Sequence, residues 1–422
     1  MIKSNDLVLW SSVLMIFITK LLYTQSVSFT KSSQVFLAAE TFQIKLADID
    51  SDGDLDAISA NMGNNNSKIW INDGTGYFTD SGQLLTKQGH GIGIEDLDGD
   101  GDLDLIIPCA IYITNTGQFN YRPTKIYFND GSGMFIDSGQ NLGDSLLSKT
   151  FVQLVDYDCD NDFDAVIQHF SPPKRIYYKV YNNNGSGIFT LSDFTLPDNS
   201  FPNWVDINLD GDVDIFLQKE NEGYSVLLND GSGNYTQYFN IADTTASFNE
   251  NTVCLNDFDG DGDIDAFIVP GKITTVEPAK VFFNDGTGNF SDSGQELGSF
   301  NWCWVEAADL DKDNDLDIVI ASFGKPTQVW LNNGNGSFFD SGLRLGGNNS
   351  YHGLDIGDLD NDGDLDLFIA FFGQGSNEIW FNDLITSVKD DGSYNHLPTD
   401  FKFLQNYPNP FNPETTIEYY IP

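Results

Sequence analysis

A nine-residue pattern, Asp-x-Asp-x-Asp-Gly-Asp-apolar-Asp, is written seven times along this chain, beginning at Asp48, Asp96, Asp156, Asp206, Asp257, Asp309 and Asp358. Successive copies lie 48, 60, 50, 51, 52 and 49 residues apart. A period near fifty residues means one supersecondary unit per repeat, each burying against its neighbours a face that it cannot bury alone. That period overrides the two or three domains that 422 residues would otherwise imply.

Each copy sits in the same order of pieces. A half-apolar run such as Ile92-Gly-Ile94 enters the loop, and a strongly apolar run such as Leu105–Ile107 or Ile318–Ile320 leaves it. A third run, Lys68-Ile-Trp-Ile-Asn72 in the first copy, ends in the turn Asn72-Asp-Gly-Thr-Gly76, and a fourth follows from Tyr77 to Gln83. β-branched and aromatic runs bounded by Asn-Asp-Gly turns are strands and hairpins. Four strands per repeat and seven repeats predict an all-β fold, a seven-bladed β-propeller of antiparallel blades over residues 27–383. The seventh copy stops after Glu378–Asp383 without a fourth strand, while Phe29-Thr-Lys-Ser-Ser-Gln34 matches Phe78-Thr-Asp-Ser-Gly-Gln83 at four of six positions. The N-terminal strand is therefore expected to complete the last blade and close the ring, leaving no sheet edge open.

The loops predict metal. In Asp48-Ile-Asp-Ser-Asp-Gly-Asp-Leu-Asp56 the carboxylates of Asp48, Asp50, Asp52 and Asp56 can converge, with the backbone carbonyl of Asp54 adding an oxygen and Gly53 making the sharp turn. The same reading applies to Asp96, Asp98, Asp100, Asp102 and Asp104, to Asp156, Asp158, Asp160, Asp162 and Asp164, and to Asp257, Asp259, Asp261, Asp263 and Asp265. It holds also for Asp309, Asp311, Asp313, Asp315 and Asp317, for Asp358, Asp360, Asp362, Asp364 and Asp366, and for Asp206, Asn208, Asp210, Asp212 and Asp214, where the asparagine makes the weakest site. An all-oxygen set of this size suits Ca2+, up to seven ions, over zinc or copper. An EF-hand is excluded, since its Glu position holds Ser59, Ile107, Ile167, Leu217, Ile268, Ile320 and Ile369. Asn161 and Asn314 replace the turn glycine and are expected in the left-handed region. Position 8 is apolar in every copy and is expected to plug the blade core.

The loops hold 34 of the 63 acids, so most of the formal charge of −43 lies where cations can neutralise it. So acidic a chain is a poor ligand for nucleic acid or an anionic membrane, and 14% aromatics and 40% apolar residues argue against disorder. Cys109, Cys159, Cys254 and Cys303 share no paired spacing and read as free thiols.

Both ends read as addresses. Lys3, the apolar stretch Leu7–Ile18 and the small residues around Gln25 make residues 1–26 a signal peptide, too short before Lys20 to span a membrane. Polar, unpatterned residues 384–400 form a linker. The stretch Asn406-Tyr-Pro-Asn-Pro-Phe-Asn-Pro413, within residues 401–422, resembles the opening of the type A sorting domain of the bacterial type IX secretion system. The resemblance implies delivery by that machinery to the surface of a Gram-negative, Bacteroidota-like bacterium. That family's domain has more strands than the residues through Pro422 supply, so the sorting domain is read as incomplete.

Loops and blade order together resemble the FG-GAP or VCBS-type repeats of bacterial surface proteins, related to the integrin α-chain propeller. The resemblance implies the propeller and its calcium, and a binding surface on the face opposite the metal hairpins. The longest insertion there is in the second blade, 25 residues from Asp104 to Asn129 against 15 to 19 elsewhere. Its Tyr112, Phe119, Tyr121 and Arg122 are candidates to stack on and hydrogen-bond a ligand. Six residues before each loop stand Phe42, His90, Thr150, Ser200, Asn251, Cys303 and His352, expected to ring the channel entrance. His90 and His352, with Trp302, Trp304 and Tyr351 close by, are the second candidate group. His169 and His396 have no context that raises them. No catalytic motif stands out, which favours a surface adhesion or recognition module for carbohydrate or protein over a structural scaffold or a polysaccharide-active lyase or hydrolase.

Overall fold

A computed structural model describes residues 27–384 except 37–39, 64, 110–111, 114–118, 121, 144–147, 172–174, 221, 243–251, 270–275, 348–350 and 373–374. It also describes 407–412 and 414–416. The proposed signal peptide and most of the linker lie outside the described residues. Two compact units are present, Met1–Leu384 and Ile385–Pro422. Within the second, Tyr407–Asn412 pairs antiparallel with Glu414–Thr416.

Seven small antiparallel sheets make up the first unit and form the ring of a β-propeller. Blade 1 runs Thr41–Ala47, Asp56–Asn61, Lys68–Asn72 and Phe78–Asp80, each strand beside the next. Each later blade repeats this order. Blade 5 alone adds a fifth strand, Leu297–Phe300, where its outer edge breaks and returns to Glu277–Asn284. The second strands explain themselves: Asp56–Asn61, Asp104–Ile107 and Asp317–Ser322 are buried along their whole length, as near-continuous apolar runs must be.

Ring closure follows the sequence expectation. Phe29–Lys31 lies antiparallel to Glu378–Asn382, with Phe29 opposite Asn382 and Lys31 opposite Trp380. Lys31 Nζ meets Glu378 Oε1 at 2.7 Å. Phe36 continues inward and packs edge-on to Trp70 at 5.1 Å and tilted against Phe368 at 5.0 Å. Cores are thus built between blades: Phe36, Ile44 and Trp70 meet Leu359, Phe368 and Ile379 across the 7–1 junction. Ile58 and Ile69 meet Leu105 and Ile107 across the next.

The expected plug is met in part. Leu55, Leu103, Val213, Leu316 and Leu365 at position 8 are half-buried and pack against the cores, while Phe163 is 37% exposed. The buried apolar residue is position 2, namely Ile49, Leu97, Tyr157, Ile207, Phe258, Leu310 and Leu359. Position 2 turns inward because its own N–H must reach the buried carboxylate at position 9.

Candidate functional site

Each nine-residue loop is organised from its two ends. The position-1 carboxylate caps the turn: Asp48 Oδ1 accepts the Asp52 N–H and Oδ2 the Gly53 N–H, both at 3.1 Å. Asn161 and Asn314 sit at φ 73° and 69°, the left-handed conformation the glycines adopt. Position 4 is left-handed too, at Asn361 and also at Ser51, Cys159, Leu209 and Lys312, four residue types that do not announce it.

Position 9 is the buried foot. All seven position-9 aspartates are inaccessible to solvent. Each Oδ1 accepts the backbone N–H of the asparagine that opens the next turn, at 2.7–2.9 Å. In six, Oδ2 accepts the position-2 N–H; Asp104, for instance, takes Leu97 N–H at 3.1 Å. Burial pushes these carboxyls up, to about 7 at Asp56, Asp164, Asp265 and Asp366, about 8 at Asp317, and about 6 at Asp104 and Asp214. Backbone donation opposes the rise without cancelling it. Position 3 is raised as well at Asp50, Asp98, Asp158, Asp259 and Asp360, by burial first and then by neighbouring acids.

These acids converge. Oxygens of Asp96, Asp98 and Asp104 lie within 4.8 Å of one another, as do those of Asp156, Asp158 and Asp164, of Asp257, Asp259 and Asp265, and of Asp309, Asp311 and Asp317. In blade 1 the cluster is Asp48, Asp50 and Asp52. Buried carboxylate oxygens without a hydrogen-bond donor remain at Asp50, Asp98, Asp158, Asp164 and Asp358. Unprotonated oxygens facing each other in partial burial need a cation, so the donor set fits a hard metal ion. Position 7 does something else with its side chain. A Cβ on Gly131 (φ +77°) would stand 2.7 Å from Asp102 Oδ2, and the turn glycines of five other blades meet their own position-7 carboxylates likewise. The side chain therefore covers the turn, and the glycine is what admits it.

A second ring joins the loops to each other. The turn asparagine's Nδ2 donates to the position-2 carbonyl of the preceding blade at 2.7–2.9 Å in six junctions, among them Asn129 to Ile49 and Asn72 to Leu359 across the closure. At the 3–4 junction Tyr235 Oη takes over, donating to the Tyr157 carbonyl at 3.0 Å. Lys312 pairs with Asp364, and Asn361 Nδ2 donates to Asp54 Oδ1 at 2.6 Å, linking position 4 of one loop to position 7 of the next.

The axial channel has no such repetition. A cavity of about 280 Å³ is lined by Gln43 and Lys45 of blade 1, Gln153 of blade 3, Trp204 of blade 4 and Glu306 of blade 6. Gln43 Oε1 accepts Ile92 N–H at 2.7 Å, Trp204 Nε1 donates to Gln153 Oε1 at 3.1 Å, and Asp355 Oδ2 accepts Leu46 N–H at 2.8 Å. Lys45 Nζ lies 3.7 Å from Asp355 Oδ1, and that carboxylate raises its pKa. Burial pushes Glu306 up to about 7 against the pull of Lys45. Sequence reasoning passed over this group because the residue three before each loop changes type from blade to blade (Lys45, Gln153, Glu306, Asp355), while Trp204 stands two before its loop and Gln43 five.

The candidate rim residues differ in exposure. His90 is half-buried, with its ring 3.6 Å from that of Phe42, while Phe42 itself, Ser200 and Cys303 are buried. The side chains of Thr150 and Asn251 lie outside the described residues. Trp304, at 4% exposure, belongs to the core cluster with Ala321 and Leu354 and presents nothing to a ligand. Trp302 is half-buried and stacked on Phe323 at 5.9 Å. Tyr351 and His352 lie on the strand Tyr351–Gly357, and Tyr112 pairs with Asn120 and Ile113 with Phe119 in a hairpin of the insertion. The side chains of these candidates, and Tyr121 altogether, lie outside the described residues. Arg122 is half-buried. Among the described residues no helix is long and apolar enough to cross a membrane.

The ring is shared with solved structures. The BP39L lectin from Burkholderia pseudomallei has a TM-score of 0.59 at 10% identity, over 82% of this chain and 96% of that one. BBS1N, solved in complex with ARL6DN, has 0.51 at 12%, over 86% and 99%. A lectin of Agrocybe aegerita, described as recognising non-reducing terminal N-acetylglucosamine, has 0.47 at 19%, over 86% and 87%. No curated protein matches in sequence. A model of the FG-GAP-like repeat matches residues 48–107, 206–268, 257–320 and 309–369. Those segments take in more than half of the protein, and the chain belongs to the FG-GAP-like repeat family.

Proposed function

We propose that this protein is an exported, calcium-stapled recognition module of a bacterial cell surface, with carbohydrate or protein as its ligand. The observation that carries the reading is the division of labour between loop and channel. Acid clusters with donorless buried oxygens recur from blade to blade and are tied together in one hydrogen-bonded ring. Such repetition is what a structural ion needs, and a rigid ring leaves the unrepeated side chains free to specify a ligand. Calcium when bound neutralises the convergent carboxylates; the position-1, position-3 and position-9 aspartates would hold it. A lectin and a protein-binding propeller among the solved structures support ligand classes that this ring can serve. Export rests on the reading of residues 1–26 and 401–422, and surface delivery on the type IX resemblance.

The test is a glycan array and a surface-protein pull-down with the folded chain, each run in Ca2+ and in EDTA. Calcium-dependent capture of one sugar class or one protein is expected. Silence in both, with the chain shown folded in Ca2+, would sink the recognition reading and leave a scaffold.

A further inference from the structure

Four of the seven blade junctions are closed on the outside by one glutamine, five residues past the first residue of the outer strand. Gln83 of blade 1 donates from Nε2 to the Gly133 carbonyl of blade 2 at 2.6 Å, and its Oε1 accepts the Phe135 N–H at 2.9 Å. Gln140 does the same to Gly187 and Phe189 at 2.6 and 3.1 Å, and Gln295 to Gly336 and Phe338 at 2.7 and 3.0 Å. Gln34 bonds both the N–H and the carbonyl of Phe78 across the ring closure. A primary carboxamide suits the slot because its oxygen and one N–H lie side by side. They match a carbonyl and an N–H that point the same way from a strand edge two residues apart.

The slot exists because of the hairpin. Asp130 N–H bonds to the Met134 carbonyl, so Asn129 and Phe135 form a pair without mutual hydrogen bonds and the Phe135 N–H turns away from its own blade. Blade 5 repeats the geometry: Asp285 N–H bonds to the Asn289 carbonyl at 3.2 Å, with Asn284 opposite Phe290. The Phe290 N–H and the Gly288 carbonyl therefore face blade 4. Among the described residues no latch meets them there.

Blades 1, 2 and 5 throw their glutamine outward with an Asp-Ser-Gly bulge, in which the glycine N–H bonds the aspartate Oδ1. Blade 4 reads Gln237-Tyr-Phe-Asn240 instead. Its Asn240 stays in the ladder opposite Ser225, and its Oδ1 is taken by Ser225 Oγ at 2.7 Å and Gln237 Nε2 at 3.1 Å. Among the described residues no side chain bonds the Phe290 N–H or the Gly288 carbonyl. A cavity of about 320 Å³ opens at this junction, between Phe239, Asn240 and Ile241 of blade 4 and Lys280, Phe290 and Asp292 of blade 5. At the 3–4 junction, by contrast, Phe194 stands at the latch position with its ring 5.3 Å from Tyr235.

We infer that the slot between blades 4 and 5 binds the carboxamide of a glutamine side chain carried by an extended peptide of a partner protein, repeating in trans the bond that Gln83, Gln140 and Gln295 make in cis. The inference rests on the recognition reading and narrows its ligand. It selects protein over acetamido sugar on geometry: a trans secondary amide holds its N–H and carbonyl on opposite sides and meets only one of the two backbone groups.

The test uses the full, calcium-loaded chain, isotope-labelled for amide correlation spectra and titrated with acetyl-Gly-Gln-Gly-N-methylamide. The same peptide with Glu in place of Gln, and N-acetylglucosamine, are the comparison probes. The glutamine peptide is expected to move the Phe290 amide resonance, and the glutamate peptide to bind about tenfold more weakly through loss of one donor. A four-residue graft that writes the bulge into blade 4 (Gln237→Asp, Tyr238→Ser, Phe239→Gly, Asn240→Gln) is expected to move the Phe290 amide by itself and to abolish its response to peptide. A Phe290 amide that ignores the glutamine peptide, responds equally to glutamate, or responds to the sugar instead overturns the assignment. Calcium-dependent ligand capture alongside a silent Phe290 amide overturns this site alone and leaves the recognition reading standing.

Discussion

The loop face and the axial channel of this propeller are built from the same seven repeats, yet they follow opposite rules. On the loop face the blades repeat the same bonds: in all seven a buried aspartate takes the turn asparagine's N–H, and in six the asparagine's amide reaches the loop before it. In the channel the contacts vary around the ring: Gln43 takes the Ile92 N–H, Trp204 donates to Gln153, and Lys45 pairs with Asp355 beside Glu306. A hard cation, where one is bound, would make the same demand at every loop, which suits the repeated residues. A channel closed by side chains is constrained only in total volume and charge, and so is free to vary.

The largest break in that comparison is metal removal. A site held at a hundredfold over its Kd contributes about 2.7 kcal/mol, so EDTA should lower the melting temperature by on the order of 10 °C or more. Its pH dependence carries the sign of the position-9 carboxyls. Their folded pKa values, about 6 to 8 without metal, stand above the unfolded value of 3.8, so the folded chain binds the extra protons. Metal-free stability is then full below about pH 4 and falls as pH rises through 6 to 8. Calcium, competing with those protons, reverses the slope. Thermal melts at pH 5 and pH 8 in EDTA decide it: higher stability at pH 8 would mean that position 9 is already ionised and satisfied.

A sharper cut separates two positions of one loop. Asp104→Ala strands the Asn129 and Leu97 N–H groups in a buried site and should cost about 3 kcal/mol even without metal. Asp102→Ala only uncovers a turn glycine and should stay within about 0.5 kcal/mol. Equal costs in denaturant melts would show that position 7 carries a bond of its own. Between these effects lies Tyr235→Phe, which removes the hydroxyl that replaces the asparagine stitch at the 3–4 junction and should cost about 1 kcal/mol. An unchanged melt would mean that the stitch there is redundant.

What could be read in advance follows the same division. Seven blades, the loops and the closing strand were legible because the hydrogen-bonded loops and hairpin turns demand fixed residues at fixed spacing. The match between Phe29–Gln34 and Phe78–Gln83 included the latch glutamine itself, although nothing in the sequence named its partner. The deeper plug at position 2 was missed, since positions 2 and 8 are both apolar and only the fold shows which N–H must turn inward. Exposure along the inner strands was not legible: Phe42, Ser200, Cys303 and Trp304 are buried, while Lys45, Trp204 and Glu306 on the same strands line the channel cavity.

The smallest expected effect on stability tests the channel. Glu306 is half-buried beside the Lys45–Asp355 pair, with its pKa raised from 4.5 to about 7 chiefly by burial. Its ionisation therefore weakens the fold as pH rises through 7, a contribution opposed by the attraction of Lys45. Glu306→Gln keeps the shape and removes the charge, leaving Lys45 with Asp355. The melting temperature at pH 8 should rise by about 2 °C at most, because burial of the charged carboxyl already outweighs its attraction to Lys45. The sensitive readout is the difference between melts at pH 6 and pH 8 in saturating Ca2+, where the position-9 carboxyls are held by the ion. A wild-type difference that disappears in the variant assigns it to the channel. A difference that persists returns it to the loops, and the two faces would then be coupled through the inner strands that join them.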